Sequence, residues 1–351
     1  MKFWDHHKPL LLELEPINGF YIPEMPLPNK PSSEIEWKIP NKGYRNFAYW
    51  INSFLLNTDQ SFINTGGTNR IILQFKAGTS TSASVYSTAP EFGRFEISYG
   101  SSSSPHDVSR RDLYSRHSTL SFIDGFAWTV NETDKTKIMQ YARYIIPPPS
   151  LSCGEAGLYL SLVAGHDTAH YNHFLLARAI IDPSVTKEYD TLYEEGWIIE
   201  FPANYTRILP NVLAYCAYHS HPPKFNFYDT SGAAVRIRSA QPFAGSPDVM
   251  IGSDNTAPSP DDYNLKSPIG SLSSQAHSVE IDTTLQECRI VRQGTYTPTT
   301  NVYLGEIGLF ANVYNDADTS IKMMIARGIW ETPVLLQANI TYTIGIVLKL
   351  G

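Results

Sequence analysis

The chain has 351 residues, 42% of them apolar and 17% charged, and a net charge of −7 at neutral pH. This is the composition of a folded protein, long enough for one large core or two of ordinary size, and not of a disordered one. The acidic balance, without clustered Lys and Arg, argues against a nucleic-acid coat or a polybasic membrane surface, and no apolar run is long enough for a membrane-spanning helix.

The first twenty residues, "MKFWDHHKPLLLELEPINGF", do not read as a signal peptide, because Asp5, Glu13 and Glu15 interrupt the apolar run. Three cysteines, Cys153, Cys216 and Cys288, are too few and too irregularly spaced for a disulfide framework or a zinc site, which fits a reducing cytosol. Without a secretion signal, the N-x-S/T triplets at Asn131, Asn204 and Asn339 read as chance matches. Residues 1–45 form a proline-rich arm, with Pro16, Pro23, Pro26, Pro28 and Pro31 close together. Such a segment is expected to form neither a continuous helix nor a central strand. Its aromatic and Met anchors, Phe20, Tyr21, Met25 and Trp37, suggest an extended segment draped over a neighbouring subunit; the alternative is a disordered leader.

Past the arm the sequence is written twice. Gly100 in "SYGSSSSP" matches Gly252 in "MIGSDNTAP", and "CGEAGLYLSL" from Cys153 matches "LGEIGLFANV" from Leu304. Likewise Leu113 matches Leu265, "LLARAIIDP" around Arg178 matches "MIARGIWETP" around Arg327, and "NTGGTNRI" from Asn64 echoes "DTSGAAVRI" from Asp229. The last strand of each copy is aligned as "GWIIEF" against "ANITYT", which makes "VTKEYDTLYEEG" an insertion in the first copy. The chain therefore divides into the arm and two homologous units, 46–205 and 206–351.

Within each unit the pattern is β. "GLYLSLVAG" with "HFLLARAII", and "GLFANVY" with "IKMMIARGI", read as hairpins; "NRIILQFKA" and "AVRIRSA" alternate as strands. A helical element is expected near Asn46–Leu56 and near Arg207–Tyr218, with Pro210 in the first turn of the second. The fold expected is all-β: two tandem antiparallel β-sandwich or jelly-roll-like domains, each with a short N-terminal helical element, preceded by the arm.

Glu155 and Glu306 are the most conspicuous ionisable residues, since each sits inside an apolar strand. The polar hairpin tips "GHDTAHYN" and "NDAD" lie midway between Glu155 and Arg178 and between Glu306 and Arg327. Antiparallel pairing then sets each Glu opposite its Arg on one face, as a structural ion pair. No second acid recurs at a comparable place in both copies, so no catalytic residue is assigned. His166, Asp167, His170 and His173 have spacings that suit a metal on a helix, but the second copy has no histidine there. Cys216, His219 and His221 likewise lack a counterpart. Asp254, Asp261 and Asp262 lack the spacing of a helix-loop-helix calcium site. No dinucleotide, phosphate-loop or nucleophile-elbow motif occurs, so no metal, cofactor or enzymatic activity is expected.

Taken together, the "DTSG" turn, the "IGS…TAPSPDDYNLKSPI" turn, "GEIGLF", "IARGI" and "ANITYTIGIVLKL" resemble a β-rich module of virion proteins from tailed bacteriophages and archaeal viruses. The resemblance covers nearly all of 225–351 and is fainter over 62–205. It implies a capsid or tail component (a decoration, turret, fibre-base or adaptor protein) assembled in the host cytoplasm. Its partners would be other virion proteins and further copies of itself, with no nucleic acid or membrane contacted directly. The alternatives are a module that binds host surface glycans, for which Trp128, Tyr141 and Tyr144 would have to cluster on one face, and a β-sandwich hydrolase.

Overall fold

The computed structural model describes residues 9–22, 39–56, 60–63, 69–73, 85–87, 93–117, 123–124, 127–130, 137–145, 148–163, 171–211, 227–236, 243–315 and 317–350. The fold is mainly β, with several antiparallel sheets; strand accounts for 59% and helix for 6%, so sheet pairing determines the architecture.

The arm supplies β1 (Leu10–Glu13), β2 (Asn18–Ile22) and β3 (Ile39–Gly43), followed by α1 (Arg45–Leu56). The first half continues with β4 (Gln60–Ile63), β5 (Asn69–Leu73), β6 (Val85–Ser87), β7 (Gly93–Gly100), β8 (Ile123–Asp124), β9 (Ala127–Val130) and β10 (Lys137–Ile145). It ends with β11 (Leu151–Val163), β12 (Tyr171–Lys187) and β13 (Leu192–Glu200). The second half holds β14 (Phe227–Tyr228), β15 (Ala234–Val235), β16 (Phe243–Gly252), β17 (Pro268–Ser271) and β18 (Ser273–Asp282). It closes with β19 (Glu287–Tyr296), β20 (Val302–Tyr314), β21 (Ser320–Leu336) and β22 (Tyr342–Leu350).

In the second half the sheets run β17-β16-β20-β21 and β1-β22-β19-β18. In the first half the same orders recur as β8-β7-β11-β12 and β13-β10-β9. Here, however, β3 and β2 join them edge to edge into one nine-stranded sheet, β8-β7-β11-β12-β3-β2-β13-β10-β9. This corrects the expectation that the arm forms no central strand. Proline is tolerated because the paired stretches are short: β2 runs between Pro16 and Pro23, and Pro40 of β3 faces Phe20 of β2. The ladder from β3 to β12 begins only at Asn41, so no bond on that side asks for the missing N–H of Pro40. Of the arm's four expected anchors, Phe20 and Tyr21 pair through their backbones with Ile198 and Trp197 of the same chain. Met25 and Trp37 lie outside the described residues.

The alignment of the closing strands also needs correction. Glu188 N–H donates to the Tyr193 hydroxyl at 2.8 Å, and Gln337 N–H donates to the Tyr342 hydroxyl at 2.9 Å. Asp190 and Asn339 follow with φ of 59° and 60°. The ten positions from Arg178 to Glu188 equal those from Arg327 to Gln337, so "VTKEYDTLYEEG" is no insertion and Gly196 corresponds to Gly345. Apolar letters alone match these strands several residues out of step, whereas the turn chemistry fixes their register.

Helix α1 forms where expected, and its buried Phe47, Ala48, Trp50 and Ile51 make an apolar face. Residues 208–211 begin a helical turn that includes Pro210, and 212–226 lie outside the described residues. Helix α1 also ties the two halves together: Asn52 accepts a 2.6 Å bond from Nη2 of buried Arg292 on β19. Burial lowers the Arg292 pKa to about 10. Buried side chains from the arm, α1 and both halves form one continuous apolar cluster, including Leu14, Trp50, Leu158, Ile307 and Leu348.

Strand β1 lies parallel to β22, and Leu14 just beyond it is 2% exposed, with its N–H on Val347 O at 2.9 Å. Leu14→Ala is therefore expected to cost about 2–5 kcal/mol of stability by chemical denaturation, where truncation in a loose tail would cost nothing measurable.

Candidate functional site

The second-half ion pair is built on the hairpin of β20 and β21. Strand β20 is bulged between Leu304 and Glu306, so an extra residue re-aims the Glu side chain. Glu306 sits opposite Gly252 of β16, and a β-carbon at that glycine would overlap both the carboxylate and Ser267 O. The space left by the missing side chain lets the carboxylate reach the loop that follows β16. Oε1 of Glu306 accepts from Ser267 N–H at 2.7 Å, and Oε2 accepts from Lys266 N–H at 3.1 Å. Arg327 Nε donates to the same Oε2 at 2.7 Å; both side chains are 0% exposed.

The register places Arg327 opposite Gly308, two positions beyond Glu306, so the pair meets on the diagonal of one face and not directly across. Both terminal nitrogens of the guanidinium are bonded as well. Nη1 donates to Thr256 O and to Asp262 Oδ2, each at 3.1 Å, and Nη2 donates to Asp254 Oδ1 at 3.0 Å.

The first half repeats this bond for bond. Glu155 lies opposite Gly100, accepts from Ser115 N–H at 2.8 Å and Tyr114 N–H at 3.2 Å, and takes Arg178 Nε at 2.6 Å. Arg178 is opposite Gly157, with the bulge again just before the Glu. What differs is the far side of the guanidinium. Arg178 Nη1 donates to Ser104 O at 2.9 Å and Nη2 to Ser102 O at 3.5 Å, and the group stacks 4.8 Å from the Tyr114 ring centre. Ser102 and Arg110 thus stand where the second half has Asp254 and Asp262. The sequence showed Asp254 and Asp262 but not their pairing with Arg327, because they belong to a loop that only folding brings to the arginine.

Each node ties a strand to a loop, and each charge in it is compensated. The acids of "GSDNTAPSPDDYN" are likewise paired with cations: Asp254 with Arg327, Asp262 with Arg327 and Lys266, and Asp261 with Arg207. Of the histidine-rich tip, His166, Asp167 and His170 lie outside the described residues, as do Cys216, His219 and His221. His173 is described, and its Nδ1 lies 2.7 Å from Ser161 Oγ and 2.8 Å from Oε2 of buried Glu96. Ser161, His173 and Glu96 are residue types of a hydrolytic triad that the sequence did not bring together. The geometry is not that of a relay, because a single ring nitrogen faces both the hydroxyl and the carboxylate. The second half has an ion pair in the same place, Lys322 with Asp248 at 2.5 Å, so a second acid does recur in both copies, contrary to the sequence reading, and in each it is paired with a basic side chain.

Cys153 and Cys288 are buried free thiols, and burial raises their pKa values to about 11 and about 12, so neither is a ready nucleophile. Among the described residues, no group of three or more His, Cys, Asp or Glu is arranged to hold a metal ion, and no helix is long and apolar enough to cross a membrane. Of the aromatic trio, Trp128 pairs through its backbone with Gln140 and Tyr141 with Ala127, on the neighbouring strands β9 and β10, where Tyr144 also lies.

The two nodes should differ in how they tolerate loss of the acid. Glu155→Gln leaves Arg178 facing only carbonyls and a ring, so we expect a loss of about 3–5 kcal/mol by denaturant titration. Glu306→Gln leaves Arg327 with Asp254 and Asp262, and the loss should be smaller; the reverse order would contradict this account. Asp254 has a lowered pKa, chiefly through the Thr256 hydroxyl, then Thr256 N–H and the Arg327 charge. A depressed carboxylate adds stability above its unfolded value of about 3.9 and loses it as pH falls through the folded value. Thermal melts of Asp254→Asn should therefore fall less steeply than the parent's on acidification through that range.

Compared with known proteins, the chain matches no protein-family model, no curated protein and no solved structure.

Proposed function

We propose that this chain is a structural component of a virus particle, of the capsid or tail, working through protein–protein contacts and not through catalysis. The supporting observation is that both Glu–Arg pairs are 0% exposed and are used entirely to hold a loop against a strand. A catalytic carboxylate would need a face open to substrate. In this reading the chain is two tandem antiparallel β-sandwiches of jelly-roll type, which the recurring strand orders support. The sequence resemblance to virion modules of tailed bacteriophages and archaeal viruses supports the location.

The described strands of the arm pair within their own chain, so subunit contacts are assigned instead to free sheet edges. The clearest is β18, the outer strand of its sheet, whose residues are mostly exposed and polar. Strand addition along such an edge gives affinity through main-chain bonds to a second copy or another virion protein.

The test is electron cryomicroscopy and mass spectrometry of virus particles purified from cells that produce the chain. The expected result is density for this fold at regular positions, in amounts matching a symmetric copy number. Homogeneous particles that lack the chain would refute the proposal.

A further inference from the structure

The geometry points to a binding site for a single sugar ring on the second half, in a surface cavity walled by Arg207, Tyr228, Gly232, Asp261 and Tyr263. The cavity has a volume of about 210 Å³. Pockets for drug-sized ligands span about 300–1,000 Å³, so this one suits one ring and not an extended chain.

Its walls carry the chemistry that a neutral sugar needs. The Arg207 guanidinium lies 5.1 Å from the Tyr228 ring centre and pairs with Asp261. That pair is not sealed as the Glu–Arg nodes are, since the Asp261 side chain is 53% exposed and that of Arg207 22%. Side by side, a carboxylate and a guanidinium match two neighbouring hydroxyls: one donates to the acid and the other accepts from the base. The Tyr263 side chain, in a residue 46% exposed, offers a flat surface for the C–H face of the ring.

This surface is held rigidly. Gly232, at φ +82°, backs onto Tyr263, where a β-carbon would lie 3.1 Å from the ring. Its turn is fixed by Asp229, which accepts from Ser231 N–H at 2.8 Å and Ala233 N–H at 3.0 Å. Asn264 Nδ2 fastens the same turn to the opposite wall through Thr230 O at 3.2 Å.

Comparison of the halves provides a separate argument. Arg45 N–H donates to Val108 O at 3.0 Å and Arg207 N–H donates to Pro260 O at 2.9 Å, so the two loops are in register. In that register Asp261 and Tyr263 correspond to Ser109 and Arg111. The scaffold is thus kept while the acid and the aromatic wall occur in one copy alone. A shared fold does not require them, and a ligand would. The site stands on this geometry and does not depend on the proposed virion role.

The test is titration of the full chain with methyl α-glucoside, methyl β-galactoside and methyl α-mannoside, followed by calorimetry or NMR, with cyclohexanol as a ring lacking the paired hydroxyls. We expect saturable millimolar binding of at least one glycoside and none of cyclohexanol. Tyr263→Ala and Asp261→Asn should each weaken it about tenfold or more, the equivalent of about 1.4 kcal/mol. Both side chains are about half exposed, so the variants should keep the parent's melting temperature; if one does not fold, the other decides. Failure of all three glycosides to saturate, equal binding of cyclohexanol, or unchanged binding in a folded variant would overturn the inference.

Discussion

A guanidinium group buried away from water is the constraint around which each half of this protein is arranged. Its desolvation is too costly to leave uncompensated, so every donor must find an acceptor inside the fold. One strand of the hairpin brings the arginine, the other a carboxylate aimed by a bulge, and the loop after the neighbouring strand supplies the remaining acceptors. The same carboxylate accepts two main-chain N–H groups from that loop, Tyr114 and Ser115 or Lys266 and Ser267. A loop of fourteen or so residues, of the kind that would otherwise wander, is thereby fixed at both ends of the charge pair.

That rigidity has different uses in the two halves. In the first, the loop folds around Arg178 with carbonyls and the Tyr114 ring, and its outer residues are Ser109, Arg110 and Arg111. In the second, Asp262 binds Arg327 and lines the cavity beside Arg207 together with its neighbours Asp261 and Tyr263. One loop thus both holds the fold and lines the cavity, and the Arg207 and Lys266 cations offset the adjacent carboxylates of Asp261 and Asp262.

The halves are joined more closely than two beads on a string. The apolar cluster is continuous, α1 reaches from the first half to Arg292 of the second, and the arm contributes strands to both. Additivity is therefore not expected between substitutions in α1 and in β19, whereas the two Glu–Arg nodes have no member in common.

The sequence alone determined the β character, the place of α1, both long hairpins and the presence of a Glu and an Arg in each. These follow from local period and from chemical identity, which a chain displays residue by residue. The tertiary structure decided what depends on which strands become neighbours. It placed the arm inside a sheet despite its prolines, set each Glu–Arg pair on a diagonal, and returned the closing strands to register. It also gathered Asp254 and Asp262 around one arginine and Tyr228, Asp261 and Tyr263 around another. The physical reason is that every peptide carries the same donor and acceptor. No residue name tells which amide will point at a buried carboxylate, or which loop will lie beside it.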